Sequence, residues 1–356
     1  MVELVLLIII LEILIRLITY FKRRKIFFLY ENVLFNEKRA AYKSHPNLNY
    51  IKSFNVKNPK FPSNSDGFAG TKNYIKSKNI KTHRIITVGG STVEQNDLDM
   101  MKPFNKNLTW PYLLEKKLNK KNKRYQVINA GCAGYTIIET LISLMTKLIF
   151  WKPNTIIYLL SINDIITSQI ISKFVEDNSH IRKQFSPHLN TKWIPEMRFL
   201  FFYQISLKLI LNLLSHKNKD LISYFSNLKN WKYDYRYNKD KKNSYENYLN
   251  IFCEICKQNR INLILLPIVY NKFAKNLTWF KGTNIKKSQL KKFVKINNGI
   301  IKKVQFKYKK VNYIDLDKLQ NKHFRKGDFV HFSKEGLEYI SEHIARNWVK
   351  NFSNYK

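Results

Sequence analysis

From Arg84 onward, short β-branched apolar runs alternate with segments whose apolar residues recur every three to four positions. Arg84 to Val88, Tyr125 to Asn129, Thr155 to Leu160, Ile261 to Ile268 and Val311 to Leu316 read as strands. Apolar residues stand at consecutive positions in them, which is the mark of strands buried on both faces. Trp110 to Leu118 reads as a helix with Pro111 in its first turn, where its missing N–H costs nothing. Thr136 to Phe150, Tyr245 to Gln258 and Ser333 to Val349 read as further helices, with Ser333 as the N-cap of the last. Strands joined through helices predict an α/β fold with a parallel sheet covered on both sides.

Two stretches break the rhythm. Val2 to Phe21 is almost continuously apolar, interrupted by Glu3, Glu12 and Arg16 and closed by Lys22, Arg23, Arg24 and Lys25. Twenty helical residues span about 30 Å, one bilayer core. Glu12 and Arg16 are four apart and can pair on one helix face. We read a membrane anchor; the alternative is an amphipathic helix in the interface or against the domain. The other stretch, 165–240, holds Phe199 to Tyr203 and Leu207 to Leu214, too short and interrupted for a second span. It reads as an inserted helical subdomain, with a lid or a membrane-facing surface as alternatives. Residues 26–82 carry little periodicity and read as a linker leading into an irregular packing segment, Asn64 to Gly70. The expected organisation is therefore an anchor at 1–25, linker and packing segment at 26–82, and an α/β domain at 83–356 that carries the insertion.

Composition changes this picture little. The chain has 356 residues and a formal net charge of +38, which invites a nucleic-acid reading. Only 12 of the 63 basic residues are Arg, and the Lys are scattered among Asn and Ile, unlike a clustered phosphate-reading surface. We expect no nucleic-acid partner, and keep the basic surface as a hint toward anionic membranes or polyanions. The cysteines, Cys132, Cys253 and Cys256, are too few for a disulfide framework. Cys253 and Cys256 lie within a helix without other metal-ligand partners in the sequence, and read as buried packing thiols.

Four segments near strand ends carry the candidate chemistry. Gly89-Gly90-Ser91 follows the first strand, and the glycines permit a tight turn that leaves Ser91 at its carboxyl end, where ligands bind open α/β sheets. An ordinary turn with Ser91 capping a helix is the alternative; a phosphate loop would need a Lys at Walker spacing, which is absent. Gly131 and Gly134 follow the second strand, where a glycine lets the backbone present its N–H to a ligand. Asn163 follows the third, with a side-chain amide able to donate to an oxyanion, or merely to close a turn; Asp164 beside it suits a loop-fixing role. Asp328 and His331, three apart before the last helix, suit a carboxylate holding one imidazole nitrogen while the other faces Ser91. A surface pair capping the helix is the other reading. His83, His180, His188, His323 and His343 lack such a carboxylate and read as surface or core. Together the segments offer a nucleophile, an acid–base pair and oxyanion donors, the needs of ester hydrolysis or acyl transfer.

In these residues the chain resembles the SGNH hydrolases, also called GDSL esterases, over roughly residues 83 to 349. The four family blocks fall on Ser91, Gly134, Asn163 and Asp328 with His331, Gly134 being favoured over Gly131 by the Gly134-Tyr135-Thr136 sequence. Gly90 stands where the family usually has Asp, and Ser161 where its third block usually has Gly. The apolar N-terminus with Glu12 and Arg16, and the Asn64 to Gly70 segment, also look like anchored members. The resemblance implies a flavodoxin-like three-layer α/β/α sandwich with a five-stranded parallel sheet. It implies Ser91 as nucleophile, His331 as base, Asp328 orienting the imidazole, and an oxyanion hole of the Ser91 and Gly134 N–H groups with the Asn163 amide. No metal or cofactor is implied. The expected activity is a serine esterase acting on O-acyl bonds of a carbohydrate or lipid at a membrane. An O-acyltransferase, or an accessory protein of cell-envelope polysaccharide modification, is the alternative, and a non-catalytic binding protein a more distant one. The basic cluster after the anchor argues for a cytoplasmic domain, whereas anchored relatives often lie outside; the side stays open.

Overall fold

The apolar runs predicted as strands pair into one sheet. In a computed structural model of the chain, the described residues are 42–55 (except 46 and 49), 62–95, 109–120, 124–165, 239–274 and 286–352, with scattered helical positions between 3 and 17. Strands β3 (His83–Gly89), β4 (Tyr125–Asn129), β5 (Thr155–Leu159), β6 (Asn262–Leu266) and β7 (Val311–Tyr313) lie in the order β4-β3-β5-β6-β7. Every neighbouring pair is parallel. The chain thus steps outward from β3 to β4, then crosses back past β3 to β5. The reversal makes a crevice at the carboxyl ends of the central strands, where open α/β sheets bind ligands.

Alternate side chains of the strands feed two separate cores. Ile86, Val88, Ile128, Ile156, Tyr158, Leu263 and Leu265 face helices α3 (Ile137–Thr146), α4 (Lys239–Gln258) and α5 (Lys287–Lys307). Ile85, Val127, Ile157, Leu159, Ile264 and Leu266 face α2 (Trp110–Leu118) and α6 (Lys334–Phe352). The period of two along each strand is what splits the apolar runs between layers. Helices on both faces make the three-layer α/β/α arrangement. Cys253 and Cys256 lie in the first core, where burial pushes the Cys253 thiol up to about 12 and the Cys256 thiol well above its ordinary range.

Several elements differ from the sequence reading. The predicted helix 136–150 ends at Thr146 and resumes as a 3-10 turn, Leu148–Trp151, while α4 starts earlier than predicted, at Lys239. The long helix α5 was not predicted. Within the segment read as linker, β1 (Tyr42–Ser44) and β2 (Tyr50–Lys52) form an antiparallel hairpin outside the main sheet. Ser333 does cap α6: its Oγ accepts the Gly336 N–H at 3.1 Å. The insertion read at 165–240 lies almost wholly outside the described residues, as does most of the apolar run 2–21. Among the described residues no helix is long and apolar enough to cross a membrane.

Candidate active site

Ser91 opens a single helical turn, α1 (Ser91–Glu94), directly after β3. Gly90 precedes it in extended conformation, and a Cβ there would lie 2.9 Å from Ser161 Oγ and 3.0 Å from Asn163 Nδ2. A side chain at 90 would therefore require Ser161 and Asn163 to give way. The Ser161 hydroxyl thus occupies space that a side chain at 90 would need. Behind the turn, Asn129 at the end of β4 donates its amide to the Val93 carbonyl at 2.9 Å, and Trp110 Nε1 donates to the Thr92 carbonyl at 3.1 Å. Both satisfy carbonyls that so short a helix leaves open.

The loop before α6 carries the other half. Arg325 N–H donates to the His331 carbonyl and Asp328 N–H to the Arg325 carbonyl, each at 3.0 Å, folding 325–331 into a tight turn. Asp328 Oδ1 accepts the N–H groups of Val330 at 2.9 Å and His331 at 3.1 Å, leaving Oδ2 for His331 Nδ1 at 2.9 Å. His331 Nε2 then stands 3.0 Å from Ser91 Oγ, across 240 positions of sequence. Burial pushes the Asp328 carboxyl up, but the hydrogen bond and charge of His331, with the two backbone N–H groups, hold it well below the usual carboxylate range. An ionised carboxylate only accepts, so Nδ1 carries the imidazole proton and Nε2 is left to accept from the serine hydroxyl. His331 is buried, whereas Ser91 is partly open to solvent. The three side chains form one continuous hydrogen-bonded chain ending at Ser91.

Gly134 and Asn163 are brought to the same end of the sheet. Gly134 sits at φ +80°, a left-handed conformation that glycine adopts without strain. Asn163 is buried; its Nδ2 donates to the Tyr135 carbonyl at 3.0 Å, and its own N–H donates to Ser161 Oγ at 3.1 Å. One amide proton of Asn163 therefore fixes the side chain against the glycine loop. Asp164 points away: its Oδ1 accepts the Ile137 N–H at 2.9 Å at the start of α3. Gly131 N–H turns back to Asn129 Oδ1 at 3.0 Å, so of the two glycines it serves the turn. All five sequence-predicted site residues thus gather around one turn.

Other residues at the site carried no signal in the sequence reading. Gln95 Nε2 donates to the Phe332 carbonyl at 3.3 Å, tying the serine helix to the histidine loop. Glu94 is fully buried and bonded to Lys52, to Tyr42 and to the Ala133 N–H. Neither residue type nor spacing marks them in the sequence, because their partners are backbone groups or residues distant along the chain.

No protein-family model matches the chain, and no curated protein sequence matches it. Among solved structures the chain is similar to GDSL-type lipolytic enzymes and esterases. A GDSL-like lipase from Bacteroides thetaiotaomicron shares 14% identity, with 78% of this chain and 92% of that one covered and a TM-score of 0.41. A lipase/acylhydrolase from Enterococcus faecalis shares 14%, covering 75% and 95%, with a TM-score of 0.42. An acetyl xylan esterase, AlAXEase, shares 11%, covering 74% and 98%, with a TM-score of 0.41.

Proposed function

We propose that the chain is a serine esterase that cleaves O-acyl esters by a Ser91–His331–Asp328 triad. The hydrogen-bonded line from Asp328 Oδ2 through His331 to Ser91 Oγ, with contacts of 2.9 and 3.0 Å, carries this reading. Ser91 Oγ attacks the ester carbonyl carbon as its proton passes to His331 Nε2, and Asp328 stabilises the resulting imidazolium. The carbonyl oxygen becomes an anion facing the N–H groups of Ser91 and Gly134 and the Asn163 amide. His331 returns the proton to the departing alcohol, leaving an acyl-serine. A water, deprotonated by the same imidazole, then releases the acid and restores Ser91.

The substrate we favour is an acylated carbohydrate or lipid met at a membrane. Leu6, Leu7, Ile9, Ile10, Ile13, Leu14 and Leu17 all stand about half exposed, a concentration of apolar surface that suits lipid. The apolar run 2–21 and its basic flank support the same reading.

The test is hydrolysis of p-nitrophenyl acetate and longer-chain esters by the detergent-solubilised full chain. Ser91→Ala should abolish hydrolysis and labelling by a fluorophosphonate probe while leaving the thermal melt in place. Asp328→Asn should lower kcat by about 10²- to 10⁴-fold, since the tautomer that leaves Nε2 free loses its support. Wild-type protein that neither hydrolyses the esters nor labels at Ser91 would sink the esterase reading.

A further inference from the structure

An oxyanion donor works only if its direction is set before the substrate arrives. The Gly134 N–H belongs to the same planar peptide unit as the Ala133 carbonyl, and in a trans peptide the two point in opposite directions. The Ala133 carbonyl accepts a hydrogen bond from the Tyr50 hydroxyl. Tyr50 therefore grips one end of the peptide whose other end is the proposed donor. The preceding peptide is held too: Ala133 N–H donates to Glu94 Oε2 at 2.6 Å.

These two grips come from different places. Glu94 ends the helical turn that Ser91 begins, so its carboxylate measures the glycine loop against the nucleophile. Its charge is matched by the Lys52 ammonium, also buried, and its Oε2 accepts a hydrogen bond from the Tyr42 hydroxyl at 2.8 Å. Tyr42, Tyr50 and Lys52 all belong to the β1–β2 hairpin, which lies outside the α/β layers. Tyr135 closes the circle by donating its hydroxyl to the Tyr50 carbonyl at 2.7 Å. Tyr50 packs edge-on against Tyr42 and at a tilt against Tyr135, with ring centroids 5.3 and 5.7 Å away.

We infer that Tyr50 is a positioning residue for the oxyanion hole: it aims the Gly134 N–H, and the Glu94–Lys52 pair holds the hairpin and the loop in register with Ser91. The inference rests on the esterase reading and extends it to a segment that precedes the catalytic-type domain. A hydrogen bond on the carbonyl also polarises the N–H across the same peptide, so Tyr50 strengthens the donor as well as directing it.

Tyr50→Phe in the detergent-solubilised full chain removes the hydroxyl and keeps the ring. Its kcat on p-nitrophenyl acetate should fall about 10- to 100-fold at unchanged KM, part of the 10²- to 10³-fold effect of deleting a donor outright. Affinity for a trifluoromethyl ketone, whose serine adduct carries the oxyanion, should fall by the same factor as kcat/KM. Wild-type kcat, or a loss of kcat that the ketone does not share, overturns the inference. Should Tyr50→Phe fail to fold, the charge-balanced pair Lys52→Met with Glu94→Gln is read the same way: lowered kcat at constant KM supports it, and wild-type kcat overturns it. Failure of the esterase reading is recognised separately, by wild-type protein that is inactive and unlabelled. Hydrogen exchange at 131–135 then decides: faster exchange in Tyr50→Phe supports the grip, and unchanged exchange refutes it.

Discussion

Gly90 and Ser161 illustrate how two residues that look irregular separately make sense as neighbours. A Cβ at 90 would sit 2.9 Å from Ser161 Oγ and 3.0 Å from Asn163 Nδ2. Gly90→Ala should therefore push Asn163 off its bond to the Tyr135 carbonyl and lower kcat several-fold. Ser161→Gly in the same chain removes the closer of the two contacts, so the double variant should recover part of the loss. A double-mutant cycle on kcat/KM measures this, and strictly additive effects would show that the two sites are uncoupled. The spacing had already picked out Ser91, Asp328 and His331, the side chains that the structure joins by hydrogen bonds. Tyr50 and Glu94 were not legible. Each acts through backbone groups of a distant loop, and a contact to a backbone leaves no mark on the partner's sequence.

Among the elements, β3, β4 and β5 with α2 were readable nearly to the residue, because buried parallel strands need unbroken apolar runs. The helix α5 carries Leu290, Phe293, Val294, Ile300, Ile301 and Val304 on its buried face, a helical period diluted by the Lys and Asn between them. The hairpin was hidden for a different reason: strands of three residues have no measurable period, and these are held by tertiary contacts. Asp164, which receives the first N–H of α3, adds a pH dependence to this level of structure. Burial pushes its carboxyl up to about 8, with the Glu139 charge adding and the Ile137 N–H opposing. The folded chain thus keeps a proton that the unfolded chain releases above about pH 4. Stability from this group is complete below that pH and is lost as pH rises toward 8. Asp328 shifts the other way, and its contribution disappears only as pH falls below about 4, outside this window. The lowered His83 and His323 pull the other way up to about pH 6.5, because the unfolded chain takes up protons there that the folded chain refuses. Melting temperature should therefore decline between about pH 6.5 and 8, and Asp164→Asn, which mimics the neutral acid, should flatten the decline. Parallel wild-type and variant curves would contradict the shift.

At the scale of the whole molecule, the apolar run 2–21 sets where the chain is expected to work. The proposed anchor predicts that the full chain stays with the membrane fraction through carbonate washing. Replacing Ile9 and Ile13 by Asp should release it, since each charge at mid-membrane costs about 3 kcal/mol on insertion scales. Retention of that variant on membranes would mean that another part of the chain holds it there. Because the hairpin begins at Tyr42, only about twenty residues separate it from the end of the apolar run at Phe21. On the inference above, a segment close to the anchor would also shape the site.

The sequence by itself determined the layered α/β architecture and singled out the side chains proposed to react. Both depend on local quantities: the period of apolar residues, and a few residue types at fixed offsets from strand ends. Tertiary structure alone decided how those side chains are aimed. The 3.0 Å contact between His331 and Ser91 depends on a strand order that sets residues 240 positions apart side by side. The direction of the Gly134 N–H depends on a hairpin far upstream, because a hydrogen bond fixes orientation only once both partners have been brought within reach.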